Sequence, residues 1–172
     1  EQRQGFISIG NFRHPPNWDC VLWLKQQIWP LIRKQLPTAE LFIYGAYPPP
    51  KATALHDPKS GFLVKGWVDD ALYAMQSARV CLAPLRFGAG IKGKLAEAML
   101  CETPSVTTDI GVEGMQTQFA WPGSFANDAQ AIADTAVKLY QQADVWQIAS
   151  DLGRTNAEVL FEKNKHFTAL SG

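Results

Sequence analysis

The sequence has no excess of charge of either sign. Lys and Arg together number 16, as do Asp and Glu, among 172 residues, which argues against the broad basic surface that binds long nucleic acids. It also has no apolar run near the roughly 18 residues that span a bilayer, and its first segment, EQRQGFISIG, lacks the basic start and long apolar stretch of a signal peptide. We therefore expect no nucleic-acid polymer as partner, no transmembrane segment, and only a local anion site.

Metal-ligand and disulfide patterns are missing as well. Cys20, Cys81 and Cys101 lie in separate apolar segments without CxxC spacing, and the three histidines are scattered. This spacing supports neither a zinc site nor a disulfide framework, so no metal is expected. Buried free thiols are typical of a reducing compartment, which favours a cytoplasmic location.

The chain has no initiator Met and opens almost directly into an apolar run, as expected for a piece of a larger protein. With 172 residues and 47% hydrophobic content it is long enough for one compact domain and too short for two of ordinary size. We expect one domain over residues 1–172.

Short apolar runs alternate with helical patterns along this domain. Most runs lack strict alternation, which is typical of parallel strands covered on both faces. The predicted strands are 6–9, 40–44, 62–64, 80–83 and 105–108, and the predicted helices are 18–36, 70–77, 92–100 and two stripes over 129–140 and 145–160. Pro30 should kink or restart the first helix, Gly153 is a weak point in the last, and 119–125 is predicted to be irregular or edge structure. The order predicts an α/β fold with a single doubly wound parallel sheet of Rossmann-like type.

The most informative stretch reads RVCLAPLRFGAGIKGKLAEAM. A strand passes through a glycine-containing loop into a helix, so that free backbone N–H groups and the positive helix end converge, as in phosphate sites. Gly88 and Gly90 allow close approach to the backbone, and Lys92 and Lys94 supply neutralising charge. Glu97 lies on a neighbouring helix face, where a ribose hydroxyl is its expected partner.

Two generic nucleotide motifs fit the same stretch. Gly88, Gly90 and Gly93 match G-x-G-x-x-G, and Asp109 follows about 20 residues later, as in dinucleotide-binding folds. That fingerprint normally opens its domain, whereas here other strands precede it. The spacing of a Walker A loop is also met, but Leu95 stands where the magnesium-binding Ser or Thr is required, which disfavours an ATPase.

The ordered set of segments resembles the C-terminal domain of GT-B glycosyltransferases of the large group-1 family, particularly a branch seen in exopolysaccharide and surface-sugar assembly. The resemblance covers nearly the whole chain. The matching segments are GNF.H.PN.D...W at 10–23, P.A.L.I.G at 37–45, G.V.D at 66–70, APLRFGAGIKGKLAEAM at 83–99, TPSVT at 103–107 and G.EGM at 111–115.

The resemblance implies a hexosyltransferase that moves a sugar from a UDP-, GDP- or similar nucleotide donor to a glycan or lipid-linked glycan. It implies a metal-independent, cofactor-free reaction with retention of configuration. This domain would hold the donor, and an N-terminal domain absent from the chain would hold the acceptor. The isolated domain is then expected to be inactive, and the whole enzyme to be cytoplasmic and peripheral at the inner membrane face through the missing domain.

Two departures from the family pattern shift the expected roles. The family's pair of Glu residues, separated by seven positions, falls on Ala89 and Glu97, so the backbone of 90–92 is expected to hold the sugar or diphosphate. The family's Arg and Lys in the first loop fall on Asn11 and Pro16. Their role passes to two lysines that would stabilise the leaving diphosphate, Lys92 and Lys94, with Arg13 as a further candidate.

The resemblance therefore predicts a donor site in which the loop after the third strand holds the base and the glycine loop holds the diphosphate. Its predicted residues are Gly10, Asn11, Arg13, Gly66, Trp67, Val68, Gly88, Ala89, Gly90, Ile91, Lys92, Lys94, Glu97 and Glu113.

Other interpretations stay open at this point. The chain could be an NAD(P)-binding Rossmann domain of an oxidoreductase, or an interaction module whose exposed tryptophans bind a partner. Lys92 and Lys94 could mark a solvated helix start, Glu97 could pair with Lys94 on the helix surface, and Trp67 could be a packing residue.

Overall fold

The computed structural model describes residues 2–163, in which six short strands form one sheet. The strands are β1 (Phe6–Ile9), β2 (Leu41–Tyr44), β3 (Phe62–Gly66), β4 (Val80–Leu82), β5 (Ser105–Thr107) and β6 (Gly123–Phe125). They are arranged in the order β3-β2-β1-β4-β5-β6, and every neighbouring pair is parallel. The predicted fold class is confirmed, and each predicted strand is present with ends within about two residues.

Helices connect the strands and cover both faces of the sheet. They are α1 (Pro15–Trp23), α2 (Trp29–Gln35), α3 (Pro50–Thr53), α4 (Ala71–Ser77), α5 (Gly93–Leu100), α6 (Asp109–Val112), α7 (Ala129–Gln141) and α8 (Ala143–Lys163). A π-helical turn, Leu24–Ile28, joins α1 to α2, and Pro30 lies in the first turn of α2. The predicted restart at Pro30 is confirmed, because a proline fits a first turn, where its missing N–H is not needed.

Both faces of the sheet are buried, which explains why the strands lack alternation. Phe6 packs on one face, where its ring stacks on Tyr140 with centroids 4.5 Å apart and meets Trp29 edge-on at 5.6 Å. The adjacent residue, Ile7, packs on the opposite face with Met75 and with smaller side chains of Ala and Cys residues. Successive side chains of a strand point to opposite faces, so a strand with two covered faces is apolar throughout.

Two glycines permit close packing at the edges of this arrangement. The stretch 119–125 contains β6, an edge strand, and a side chain at Gly123 would overlap the backbone of Ser105 on β5. Gly153 does not interrupt α8. A Cβ there would lie 3.3 Å from the carbonyl oxygen of Met99, so this glycine lets α8 pack closely against α5.

The strand order reverses direction between β1 and β4. From β1 the chain moves outward through β2 to β3, and it then crosses back to β4 and moves the other way to β6. In open α/β sheets ligands bind at such a reversal, in the crevice beyond the carboxyl ends of the strands. The loops that follow β1 and β4 are therefore expected to frame the site.

Candidate functional site

A cleft of about 520 Å³ lies at this reversal, between the loops that follow β1 to β4 and the start of α5. Most of the predicted site residues come together in its wall. Those that line it are Gly10, Asn11, Trp67, Val68, Gly88, Ala89, Ile91, Lys92, Lys94 and Glu97.

Four predicted residues do not line the cleft. Arg13 is exposed, and its guanidinium lies 3.7 Å from the centroid of the Tyr47 ring. Gly66 ends β3 and accepts a backbone hydrogen bond from Gly45. Gly90 and Glu113 are exposed in the loops after β4 and α6. Their roles stay predictions.

Gly10 provides the space in which two polar side chains meet. Its N–H donates to the carbonyl of Tyr44 at 3.1 Å, which extends the pairing of β1 with β2 into the loop. A Cβ at Gly10 would lie 2.6 Å from Asn17 Cγ and 2.7 Å from Lys94 Nζ, which is too close for an unstrained contact. A larger residue here would therefore displace the side chains of Asn17 and Lys94.

Lys94 connects α5 to the start of α1. Its Nζ donates to Asn17 Oδ1, and Asn17 Nδ2 donates to the carbonyl of Asn11 at 3.0 Å. Burial lowers the pKa of Lys94, while the nearby groups Cys20, Cys81 and Glu97 act in the opposite direction. Asn17 is not among the residues predicted for the site, although it belongs to the Pro-Asn pair of the first matching segment.

Lys92 differs from Lys94 in that its amine has no hydrogen-bond acceptor among the described residues. It is only 9% exposed, and its Nζ is buried without a hydrogen-bond partner among the described residues. Burial lowers its pKa, partly offset by the charge of Glu113. A solvated helix start is thus excluded for Lys92. A buried amine without an acceptor is unfavourable, and a bound anion would satisfy it.

The start of α5 adds backbone donors at the same place. Lys92 is the N-cap residue, and no side chain caps this end of the helix. Gly88 and Gly90 have φ values of +123° and +80°, which other residues rarely adopt, so the loop needs glycine at both positions. An uncapped helix start next to a buried, unpartnered lysine is suited to bind an anion such as a phosphate group.

Glu97 is buried and Trp67 is exposed, the reverse of what a surface carboxylate and a packing tryptophan would show. Glu97 is 6% exposed on α5, so its carboxylate does not lie on the solvent-exposed surface of the helix. Trp67 is 67% exposed, so it is not a packing residue, and its indole N–H donates to Asp69 Oδ1 at 2.9 Å. The cleft thus has a buried carboxylate in one wall and a flat aromatic ring at its rim.

The three cysteines are buried free thiols, as the sequence predicts. Burial raises the pKa of Cys20 and Cys101 to about 11 and that of Cys81 to about 12. They are therefore neutral near pH 7 and form part of the hydrophobic packing of the domain.

A second groove, of about 980 Å³, lies mainly on the face of the sheet beside α4. The two arginines that line it, Arg3 and Arg79, donate hydrogen bonds within the protein. Arg3 donates to Thr103 Oγ1 and to the carbonyl of Cys101, and Arg79 donates to the carbonyl of Tyr140. None of the buried, unpartnered side-chain atoms found in the described part of the chain belongs to this groove. The smaller cleft is therefore the better candidate site.

Residues 2–163 contain no group of three His, Cys, Asp or Glu side chains that could hold a metal ion. Within the same part of the chain, no helix combines the length and apolarity needed to cross a bilayer.

Comparison with known proteins bears directly on this site. The family described as "Glycosyl transferases group 1" matches residues 3–142. A protein from Klebsiella pneumoniae, described as an uncharacterized 44.6 kDa protein in the cps region, is 28% identical over an alignment of 129 residues, which covers 71% of this chain and 33% of that protein.

Solved structures share the fold at low sequence identity. A variant of S. aureus TarM in complex with Fondaparinux, alpha-GlcNAc-glycerol and UDP has a TM-score of 0.71 at 18% identity, over 95% of this chain and 34% of that one. The pneumococcal O-GlcNAc transferase GtfA in complex with UDP and GlcNAc has a TM-score of 0.69 at 19% identity, over 98% and 36%. The chain spans about one third of the length of these proteins.

The family match covers both halves of the cleft, the loop after β1 and the glycine loop before α5. The predicted resemblance to GT-B glycosyltransferases is confirmed, and a dinucleotide-binding oxidoreductase is not favoured. The chain belongs to the group 1 family of glycosyltransferases.

Proposed function

We propose that the chain is the donor-binding domain of a glycosyltransferase that takes a sugar from a nucleoside-diphosphate sugar. The observation that carries the proposal is Lys92, a buried amine with no hydrogen-bond partner in the described structure, beside the uncapped start of α5. A cation held without a hydrogen-bond acceptor is arranged to meet a negative charge that arrives with the ligand.

The positions of the cleft residues suggest how a donor lies in it. The diphosphate binds Lys92 Nζ and the backbone N–H groups between Gly88 and the first turn of α5. The ribose hydroxyls bind Glu97, one turn further along α5. The base lies near Val68 and stacks on Trp67, whose ring is held by Asp69.

The domain contributes to catalysis by stabilising the leaving diphosphate. Negative charge develops on the diphosphate as the glycosidic bond breaks, and a positive group already in place lowers the energy of that transition state. Lys92 fills this role directly. Lys94, in the wall of the cleft, is hydrogen-bonded to Asn17 and contributes mainly positive potential. The reaction needs no metal or cofactor in this scheme.

The remaining features of the enzyme are proposed by analogy with its relatives. UDP is the first nucleotide to test, because the TarM and GtfA structures contain it. A glycan or lipid-linked glycan acceptor fits the cps-region relative from Klebsiella pneumoniae. Ala89 replaces the carboxylate that the family places near the donor sugar, so we propose that backbone groups of 90–92 hold the sugar. Retention of configuration is proposed from membership of the family alone. We further propose a separate N-terminal domain for the acceptor and a cytoplasmic enzyme peripheral at the inner membrane face.

Isothermal titration calorimetry of the protein with UDP, GDP and NAD⁺ tests the proposal. We expect measurable binding of one nucleoside diphosphate and weaker binding of NAD⁺. The exposed Lys138, on α7 away from the cleft, provides a matched control for replacement of Lys92 by Met. The Lys138→Met variant should bind as the wild type does, and preferential binding of NAD⁺ would contradict the proposal.

A further inference from the structure

Arg86 and Asp19 form an ion pair with two hydrogen bonds that joins the loop after β4 to α1. Arg86 Nε donates to Asp19 Oδ2 at 2.9 Å, and Arg86 Nη2 donates to Asp19 Oδ1 at 2.8 Å. The guanidinium also lies 4.7 Å from the centroid of the Trp23 ring. The two hydrogen bonds to Asp19 therefore hold the guanidinium within its plane, and the Trp23 ring contacts it from one side. A lysine, which has no planar group, cannot make this combination of contacts.

The same face of α1 supports the glycine loop. Pro16, Asp19 and Trp23 have the i, i+3, i+7 spacing of one helix face. A Cβ at Gly88 would lie 3.4 Å from Pro16 Cγ, so the backbone of Gly88 lies close to the first turn of α1. Arg86 thus binds α1 from a position between Leu85 and Phe87, which both line the cleft, and directly before the glycine loop.

The segment that follows Arg86 has little packing of its own. Phe87, Gly88, Ala89 and Gly90 are all exposed, and two of them are glycines. The neighbouring fixed points are Leu85, which is buried, and Lys92, which is buried at the start of α5. A short exposed segment with two glycines has high conformational entropy unless its ends are held.

We propose that Arg86 is a positioning residue for the glycine loop, which its ion pair with Asp19 holds in the conformation that binds the donor diphosphate. This inference rests on the proposed donor site. Arg86 does not itself line the cleft, so it acts on the ligand only through the loop. Exposed ion pairs add little to global stability. The loss of Arg86 should therefore change the order of the loop and the affinity for the nucleotide, and leave the unfolding temperature almost unchanged.

The test uses the variants Arg86→Gln, Asp19→Asn, their double mutant and Arg86→Lys. A matched control is available in Arg154 and Glu102, a second pair with two hydrogen bonds, of 2.8 and 3.3 Å, that joins α8 to the turn after α5. Two quantities are measured for each protein. One is the ¹H–¹⁵N heteronuclear NOE of the amides of residues 87–91 without nucleotide, and the other is the Kd for UDP and GDP by calorimetry.

We expect the NOE of these amides to fall in Arg86→Gln and in Asp19→Asn, while Arg154→Gln resembles the wild type. In either variant, binding has to order roughly one extra backbone residue of the loop, and the entropy cost of that ordering weakens binding. The Kd should therefore rise about fivefold. The double mutant should match the single variants, because both remove the same contact, and Arg86→Lys should restore part of the affinity.

Unchanged affinity in Arg86→Gln, with the wild type binding nucleotide, would overturn the inference, as would an equal loss in Arg154→Gln. If the wild type binds neither UDP nor GDP, the proposed function fails and this inference fails with it. The NOE values, measured without nucleotide, then still show whether the ion pair orders the loop.

Discussion

Replacement of Lys92 by Met should make the unliganded protein more stable and at the same time abolish most of its affinity for nucleoside diphosphates. Met has a similar length and shape but needs no hydrogen-bond partner. Lys92 Nζ is buried without such a partner in residues 2–163, so its charge opposes folding when no ligand is bound. Changes of opposite sign in stability and affinity are typical of a residue kept for binding.

The size of both effects follows from the burial of this one amine. A buried polar group without a partner costs about 1–3 kcal/mol, so Lys92→Met should raise the free energy of unfolding by about 1 kcal/mol. For a domain of this length that gain corresponds to an increase in Tm of about 2–4 °C. A hydrogen bond to a charged group contributes about 1.5–3 kcal/mol, which corresponds to an increase in Kd of about 10- to 150-fold.

Lys94→Met is the comparison that makes the assay specific. Lys94 Nζ donates to Asn17, so its removal leaves the Asn17 amide oxygen without this donor and should lower the Tm. Differential scanning calorimetry without ligand and isothermal titration with UDP and GDP measure both quantities on the same samples. A lower Tm for Lys92→Met, or an unchanged Kd, would refute the argument that Lys92 is held unpaired for a phosphate.

Three further predictions concern other parts of the cleft. Gly10→Ala should weaken nucleotide binding and lower the free energy of unfolding by about 1–3 kcal/mol, because its methyl group meets Asn17 and Lys94; nucleotide binding equal to that of the wild type in calorimetry would contradict this. Glu97→Gln should weaken binding of UDP or GDP about tenfold and leave binding of inorganic pyrophosphate unchanged, and an equal loss for both ligands by calorimetry would argue against a ribose contact. Because burial raises the pKa of the Cys20 thiol to about 11 from its ordinary 9.0, its neutral form favours the fold. Between pH 9 and 11 the wild type should therefore lose stability in urea relative to Cys20→Ala, and parallel pH profiles would show that burial does not shift this pKa.

The strands and the glycine loop could be predicted because their signals are local. A buried parallel strand is apolar at successive positions, and a strand, a glycine loop and a helix start follow one another directly in the sequence. The position of the cleft then follows from the order of the elements, because alternating strands and helices restrict where a doubly wound sheet reverses.

The environment of each lysine could not be predicted, because it depends on contacts between distant segments. Lys94 meets Asn17 across 77 positions of the chain, and Arg86 meets Asp19 across 67. In the sequence Lys92 and Lys94 look equivalent, two positions apart at a helix start. Only the packing of the folded chain buries Lys92 without a partner and gives Lys94 one.

The sequence predicts irregular or edge structure over 119–125, but it does not specify the strand β6 within that stretch. The strand has three residues and begins at Gly123, whose φ is +144°. A glycine in this conformation usually indicates a turn. Here it lets the chain come close enough to Ser105 to pair with β5.

The most direct test of the account is a crystal structure of the protein with the nucleoside diphosphate that it binds best. We expect the diphosphate in the cleft between β1 and β4, with a phosphate oxygen within hydrogen-bond distance of Lys92 Nζ and of backbone N–H groups in the glycine loop. We also expect a ribose hydroxyl at Glu97. A nucleotide bound in the groove beside α4, or one whose phosphates avoid Lys92, would contradict the central claim.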